Sequence, residues 1–271
     1  AASSPEAWTP GGNTKPRVAF PPVIRVCIAG ITGWTGRPIA EAVEGAGDLE
    51  LVSGVSRSDP AHFSTVAEAL EQVPTDVLVD YTSAGAVREN VHAALDRGVG
   101  VVVGSSGLSA DDYEEIDSRA RAENVAVIAA GNFSLTAALL LRAAVEAARY
   151  LDAWEVIDYA SAGKPDAPSG TSRELAERLG EVRRPALRVE VGDIEGHPEA
   201  RGADIAGTQV HSLRLPSFVV SSEVVFAADG ERLSFRHDAG QTPTPYVAGT
   251  LIAIRAVPGR IGLTRGLDQL L

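Results

Sequence analysis

Lysine, cysteine and long apolar runs are scarce in this chain, and each shortage removes a class of function. Its 24 Lys+Arg face 36 Asp+Glu, a formal net charge of -12, which excludes the basic stripe that a nucleic-acid surface needs. An anionic cofactor stays open, because helix ends and local cations hold phosphates in acidic proteins. One cysteine, Cys27, sits in an apolar strand-like run, so neither a disulfide framework nor a cysteine-rich zinc site can form. That fits a reducing cytoplasm. No stretch reaches the ~20 apolar residues of a membrane helix, so no membrane partner is expected. No His/Asp/Glu spacing resembles a metal site. What remains, at 271 residues, 45% hydrophobic and 22% charged, is one large or two ordinary globular domains.

The lysine shortage points to one place. Of two lysines, Lys15 lies in an opening stretch, 1–22, rich in Ala, Ser, Pro and Gly; it reads as a disordered tail without a signal-peptide h-region. The other is Lys164, followed by Pro165-Asp166-Ala167-Pro168-Ser169-Gly170-Thr171 and a helical pattern. A body that uses arginine elsewhere has kept here the compact ammonium whose pKa moves on burial. A stiff loop feeding a helix N-terminus is also the layout of an anion site.

Residues 23–133 read as a dinucleotide-binding domain with an α/β Rossmann-type fold. Val23–Ala29 is a short apolar run typical of a buried parallel strand, and Gly30-Ile31-Thr32-Gly33-Trp34-Thr35-Gly36 follows it before a helix. This G-x-x-G-x-x-G variant lets backbone approach a pyrophosphate over the helix N-terminus. The next strand ends in Ser56-Arg57-Ser58, where an NAD site usually carries an acid; Ser56 and Arg57 favour the 2′-phosphate of NADPH, with NADH as the lesser cofactor. Later strands end at Tyr81-Thr82, at Gly104-Ser105-Ser106-Gly107 and at Asn132-Phe133, which gathers the polar loops on one rim. Residues 134–244 begin with an apolar helix and turn to strand-like runs, Ala153–Tyr159, Ile205–Leu213, Phe218–Phe226 and Glu231–His237. They suggest a substrate and oligomerisation domain of α+β type with a mixed, open sheet.

These motifs, together with Val210-His211-Ser212-Leu213-Arg214, resemble the dihydrodipicolinate reductase family, and the run from Lys164 to Thr171 is the most specific of them. The resemblance implies a homotetramer or homodimer acting on a small carboxylated substrate, with 245–271 returning to the nucleotide domain. It makes Lys164 the proton donor, with Gly170 and Thr171 holding a substrate carboxylate and Ser161 and Ser169 as further substrate-binding residues. Gly30, Thr32, Gly33, Trp34, Thr35, Gly36, Ser56, Arg57, Tyr81, Thr82, Gly104, Ser106, Asn132 and Phe133 would hold the cofactor.

Two segments depart from the family: His237–Pro243 lacks an arginine expected after its histidine, and the residues before Lys164 differ more. Where the family writes two histidines before the lysine, this chain has Ala160 and Ser161, with Ala162 at a third basic position. Neither Ala nor Ser replaces imidazole in proton transfer at neutral pH. The expected activity is therefore NADPH-dependent reduction of a C=N or conjugated C=C in a small, cyclic carboxylated imine. The pathway reaction on 4-hydroxy-tetrahydrodipicolinate and a catalytically silent NADPH-binding sensor are the alternatives. Tyr159 is a candidate replacement donor, Arg214 a candidate contact to substrate or subunit, and His211 reads as a satisfied core histidine.

Overall fold

Successive residues of the first strand face opposite sides and are buried on both, which requires a sheet covered front and back. In the computed structural model, which describes residues 23–271, Val26 and Ile28 enter one core and Cys27 and Ala29 the other. The expected tail, 1–22, lies outside the described residues. The first part of the chain alternates strand and helix: β1 (Ile24–Ala29), α1 (Gly36–Glu44), β2 (Leu49–Val55), α2 (Val66–Gln72), β3 (Val77–Asp80), α3 (Val87–Leu95), β4 (Gly100–Val103), α4 (Ala110–Glu123) and β5 (Ala126–Ala129).

The second part runs α5 (Leu135–Ala147), β6 (Ala153–Ala160), α6 (Gly170–Val182), β7 (Ala203–Ile205), β8 (Thr208–Arg214), β9 (Val220–Ala228), β10 (Glu231–Asp238), α7 (Thr244–Ala256) and β11 (Gly262–Arg265). The first sheet, ordered β11-β5-β4-β3-β1-β2, is parallel throughout. Ile39 and Val43 of α1 and Ile254 of α7 fill one face; Leu70 of α2, Val91 of α3 and Ile116 of α4 fill the other. Because β2 lies on one side of β1 and β3 on the other, the strand order reverses at β1/β3. Ligands of such sheets lie beyond the strand carboxyl ends at that reversal.

The second sheet, β10-β9-β6-β8-β7, is mixed: β6 and β8 run parallel and the other pairs antiparallel. Even-numbered residues of β6 point inward, so Trp154 and Val156 pack with Leu141 of α5 and with Leu175 and Leu179 of α6. Glu155, Ile157 and Tyr159 occupy the opposite, half-exposed face. After α7, the chain returns to the first sheet, where β11 adds beside β5. One expectation is corrected. Ile205–Leu213 is not one strand: Ala206 (φ 50°) and Gly207 (φ 89°) form a two-residue hairpin turn from β7 to β8. Both central residues sit in the left-handed region, as a type I′ turn requires, and alanine there gave no turn signal.

Candidate active site

The carboxyl ends of β1 to β5 open onto two neighbouring spaces. A groove over β1 and β2 is lined by Gly30, Thr32, Gly33, Ser56, Arg57 and Thr82. A cavity of about 210 Å³ lies further along, between the β4 and β5 loops and the α6 end of the second part. Tyr81 lines both. Its ring is edge-on to Phe133, its hydroxyl meets Thr250 Oγ1 at 2.7 Å, and burial pushes its pKa up.

The glycine loop is built for close approach. Gly30 has φ 81°, and a Cβ there would collide with the Tyr81 carbonyl; one at Gly36 would collide with the Gly30 carbonyl. Gly33 N–H closes the turn on Gly30 O at 2.9 Å. Thr35 caps α1 without a side-chain hydrogen bond; Arg37 N–H donates to Gly33 O at 3.2 Å and Pro38 has no N–H, so Gly36 N–H is the first-turn amide left to face an anion. Beside the loop, Thr32 Oγ1 and Ser56 Oγ lie 2.8 Å apart. A buried carboxylate fixes the next two loops: Asp80 accepts from Thr82 Oγ1 at 2.8 Å, Ser105 Oγ at 2.5 Å and Asn90 Nδ2 at 2.7 Å. These residues fit an extended dinucleotide lying along the groove.

The cavity brings most of the remaining expected residues together. Thr35, Gly104, Ser106, Asn132 and Phe133 line it from one side, and Lys164, Ser169, Gly170 and Thr171 from the other. Lys164 Nζ is 2.7 Å from Asp166 Oδ1. Ser169 turns its hydroxyl to Asp158 Oδ1 at 2.5 Å, so it anchors the loop and does not cap α6, leaving the Gly170 and Thr171 amides without a side-chain cap. Asn132 Nδ2 donates to Thr171 Oγ1 at 3.2 Å, joining the β5 loop to α6. Three residues fall outside both spaces. Trp34 is 54% exposed and edge-on to Tyr246, Gly36 is buried at the start of α1, and Ser161 is a half-buried turn residue whose carbonyl receives Lys164 N–H.

The alternate donors are also relocated. Tyr159 lies on the sheet face turned away from α6; its hydroxyl donates to Glu223 at 3.0 Å and its ring stacks on Phe218. His211 is on that same half-exposed face, 2.7 Å from Glu155, and is not a core residue. Arg214 is a strut: it donates to Asp158 at 2.8 Å and to the Asp166 carbonyl at 2.5 Å. Among the described residues, no histidine lines the cavity and no cluster of His, Cys, Asp or Glu has the makings of a metal site.

Sequence reasoning missed several groups that matter. Asp158 is fully buried and accepts from Ser169 N–H, Ser169 Oγ, Ser172 Oγ, Ser212 Oγ and Arg214. Burial alone would raise its pKa, but the Ser169 and Arg214 hydrogen bonds outweigh this and hold it below the ordinary value. The sequence carried only a trace of it, a charged residue in the inward register of β6 that must have partners. Glu174, Tyr113, Tyr246 and Arg265 also line the cavity. They come from three separate helices and the last strand, a convergence that no local pattern announces.

A parallel sheet with a glycine loop at its strand reversal, opening onto a cavity shared with a second domain, is the framework of an NAD(P)H-dependent oxidoreductase. The comparisons narrow this to one family. Residues 24–133 match the family model "Dihydrodipicolinate reductase, N-terminus" and 136–271 match "Dihydrodipicolinate reductase, C-terminus". The chain belongs to the dihydrodipicolinate reductase family. It is 36% identical over 249 residues to the 4-hydroxy-tetrahydrodipicolinate reductase of Mycobacterium marinum, covering 92% of this chain and 99% of the relative. Identity to the same enzyme of Cutibacterium acnes is 36% over 252 residues. The dipicolinate-bound dihydrodipicolinate reductase from Paenisporosarcina sp. TG-14 superposes with TM-score 0.74 at 27% identity, covering 92% of this chain and all of that one. GenD2 from gentamicin A biosynthesis, solved with NAD, has TM-score 0.64 at 15% identity, a likeness of fold alone. No helix among the described residues is long and apolar enough to cross a membrane.

Proposed function

We propose that this protein is an NADPH-dependent reductase of a small, carboxylated cyclic imine, with 4-hydroxy-tetrahydrodipicolinate the first substrate to test. One observation carries the reading: Lys164 and the uncapped α6 N-terminus face the β4 and β5 loops across a single cavity. The cofactor, when bound, supplies a hydride to the electron-poor carbon of the substrate. The chain supplies the rest. Gly170 and Thr171 offer backbone N–H groups, and the Thr171 hydroxyl lies beside them, where a substrate carboxylate would sit. Lys164, tethered by Asp166, donates a proton to the nitrogen on which charge develops. Arg57 and Ser56 take the 2′-phosphate.

A second reading has its own observation. Ala160 is fully buried, Ser161 is off the cavity, and no imidazole faces the substrate space among the described residues, which favours a diverged imine reductase with another substrate. NADPH consumption with 4-hydroxy-tetrahydrodipicolinate and a panel of cyclic imines separates the two. Turnover chiefly on the first supports the pathway reaction, turnover chiefly on another imine supports the diverged enzyme, and NADPH binding without turnover on any leaves a sensor. Cytoplasmic residence and assembly as a homotetramer or homodimer belong to the same proposal. The half-exposed apolar face bearing Ile157, Tyr159 and Leu213 supports assembly, which light scattering would measure.

A further inference from the structure

The cavity holds an acid that neither the glycine loop nor the lysine loop accounts for. Glu174 projects from α6, is 7% exposed, and lines the cavity against the β5 loop. Its Oε2 accepts the Gly131 N–H at 2.8 Å, the only hydrogen bond to this carboxyl among the described residues. Gly131 is shaped around it: a Cβ there would lie 2.8 Å from Oε2 and 2.7 Å from the Gly170 carbonyl. The absent side chain thus lets a carboxyl of the second domain press against the backbone that follows β5. An extended dinucleotide with its 2′-phosphate end at Arg57 would cross the strand reversal and bring its nicotinamide end toward the cavity that Glu174 and Gly131 line.

We propose that Glu174 is a positioning residue that couples proton binding to the oxidation state of the nicotinamide cofactor. The inference rests on the reading that the cavity takes the nicotinamide end. A dihydronicotinamide ring is neutral and an oxidised one is cationic, so a carboxylate beside it favours the oxidised form while a neutral carboxyl does not. Burial pushes the Glu174 pKa up to about 7, only partly offset by the Gly131 hydrogen bond. Arg265 of β11 and Arg178 of α6 lower it, Asp268 raises it, and Tyr113 of α4 is its phenolic neighbour. Lys164, Asp166 and Arg173 share the cavity wall. Glu174 would lose its proton more readily beside an oxidised, cationic ring than beside a reduced, neutral one. Charge would balance because the hydride passes to the substrate as the ring becomes cationic, and the proton passes to solvent as the carboxylic acid becomes a carboxylate.

The test reads binding, not turnover. Dissociation constants of NADPH and NADP⁺ are measured by fluorescence and calorimetry from about pH 6 to about pH 8.5 on the wild-type protein and Glu174→Gln. In the wild type, preference for NADP⁺ over NADPH is expected to rise about fivefold with pH, since the ring charge is close and partly screened. Glu174→Gln, which keeps an acceptor for Gly131 N–H, should stay flat. Equal pH dependence in both proteins overturns the coupling. Should the variant fail to fold, proton release by the wild type near pH 7 decides: more protons released with NADP⁺ than with NADPH supports the proposal, and equal release overturns it. Failure of both nucleotides to bind defeats the cofactor reading itself, a different outcome.

Discussion

Two buried carboxyls on either side of the α6 N-terminus behave in opposite ways. Beneath the 164–171 loop, Asp158 receives five hydrogen bonds and its pKa is held below the ordinary value. Against the β5 loop, Glu174 receives one and is pushed up to about 7. Both are desolvated, so the difference lies in the donors. Asp158 belongs to a saturated network that fixes where Lys164 and the α6 amides stand. Glu174 has been left with a proton to exchange at neutral pH. Saturation makes a foundation; deficiency makes a titrating group.

The largest way to break the contrast is Asp158→Ala. It leaves Arg214 and several hydroxyls without their acceptor, and chemical denaturation should show a loss of about 3–5 kcal/mol. Glu174→Gln should act with the opposite sign above neutrality. A folded pKa raised from 4.5 to about 7 gives stability that is intact below about pH 4.5 and is lost as pH rises toward 7. Above that range the variant should exceed the wild type by on the order of 3 kcal/mol, and denaturation at pH 5 and pH 8 measures the crossing. Between the two carboxyls, Lys164→Ala should lower turnover by about a hundredfold or more with NADPH affinity nearly unchanged, because it removes an acid used in the transition state. A comparable loss of affinity would make Lys164 a binding group instead. The smallest effect is expected far from both, where Arg57→Ala should weaken NADPH about tenfold and leave NADH almost untouched. Equal weakening would remove Arg57 from the 2′-phosphate.

The two regions were unequally readable in the sequence. The nucleotide domain could be seen because its signals are local: apolar strand runs, glycines between a strand and a helix, and Arg57 at the end of β2. The lysine loop was visible for the same reason, since its residues are contiguous. Asp158 and Glu174 were not, although both carried a trace. Asp158 breaks an inward apolar alternation, and Glu174 directly precedes the buried Leu175 and Ala176 on α6. Their partners, however, lie between 11 and 56 residues away in the chain. Nothing short of the fold says whether a buried acid has five donors or one. Tyr159 and Ser161 show the converse error, for neighbours of a functional residue in sequence turned to another sheet face or into a turn.

The position of β11 bears on how the molecule comes into being. Gly262–Arg265 is the edge strand beside β5, so the nucleotide sheet gains its last member only after the second domain has been synthesised. Until then β5, a wholly buried run in the finished protein, presents an open, apolar edge. The nascent first domain must therefore wait, or be shielded, while some 130 further residues emerge. A gene fragment ending near residue 133 would express a sheet with that edge uncovered, and aggregation is its natural fate.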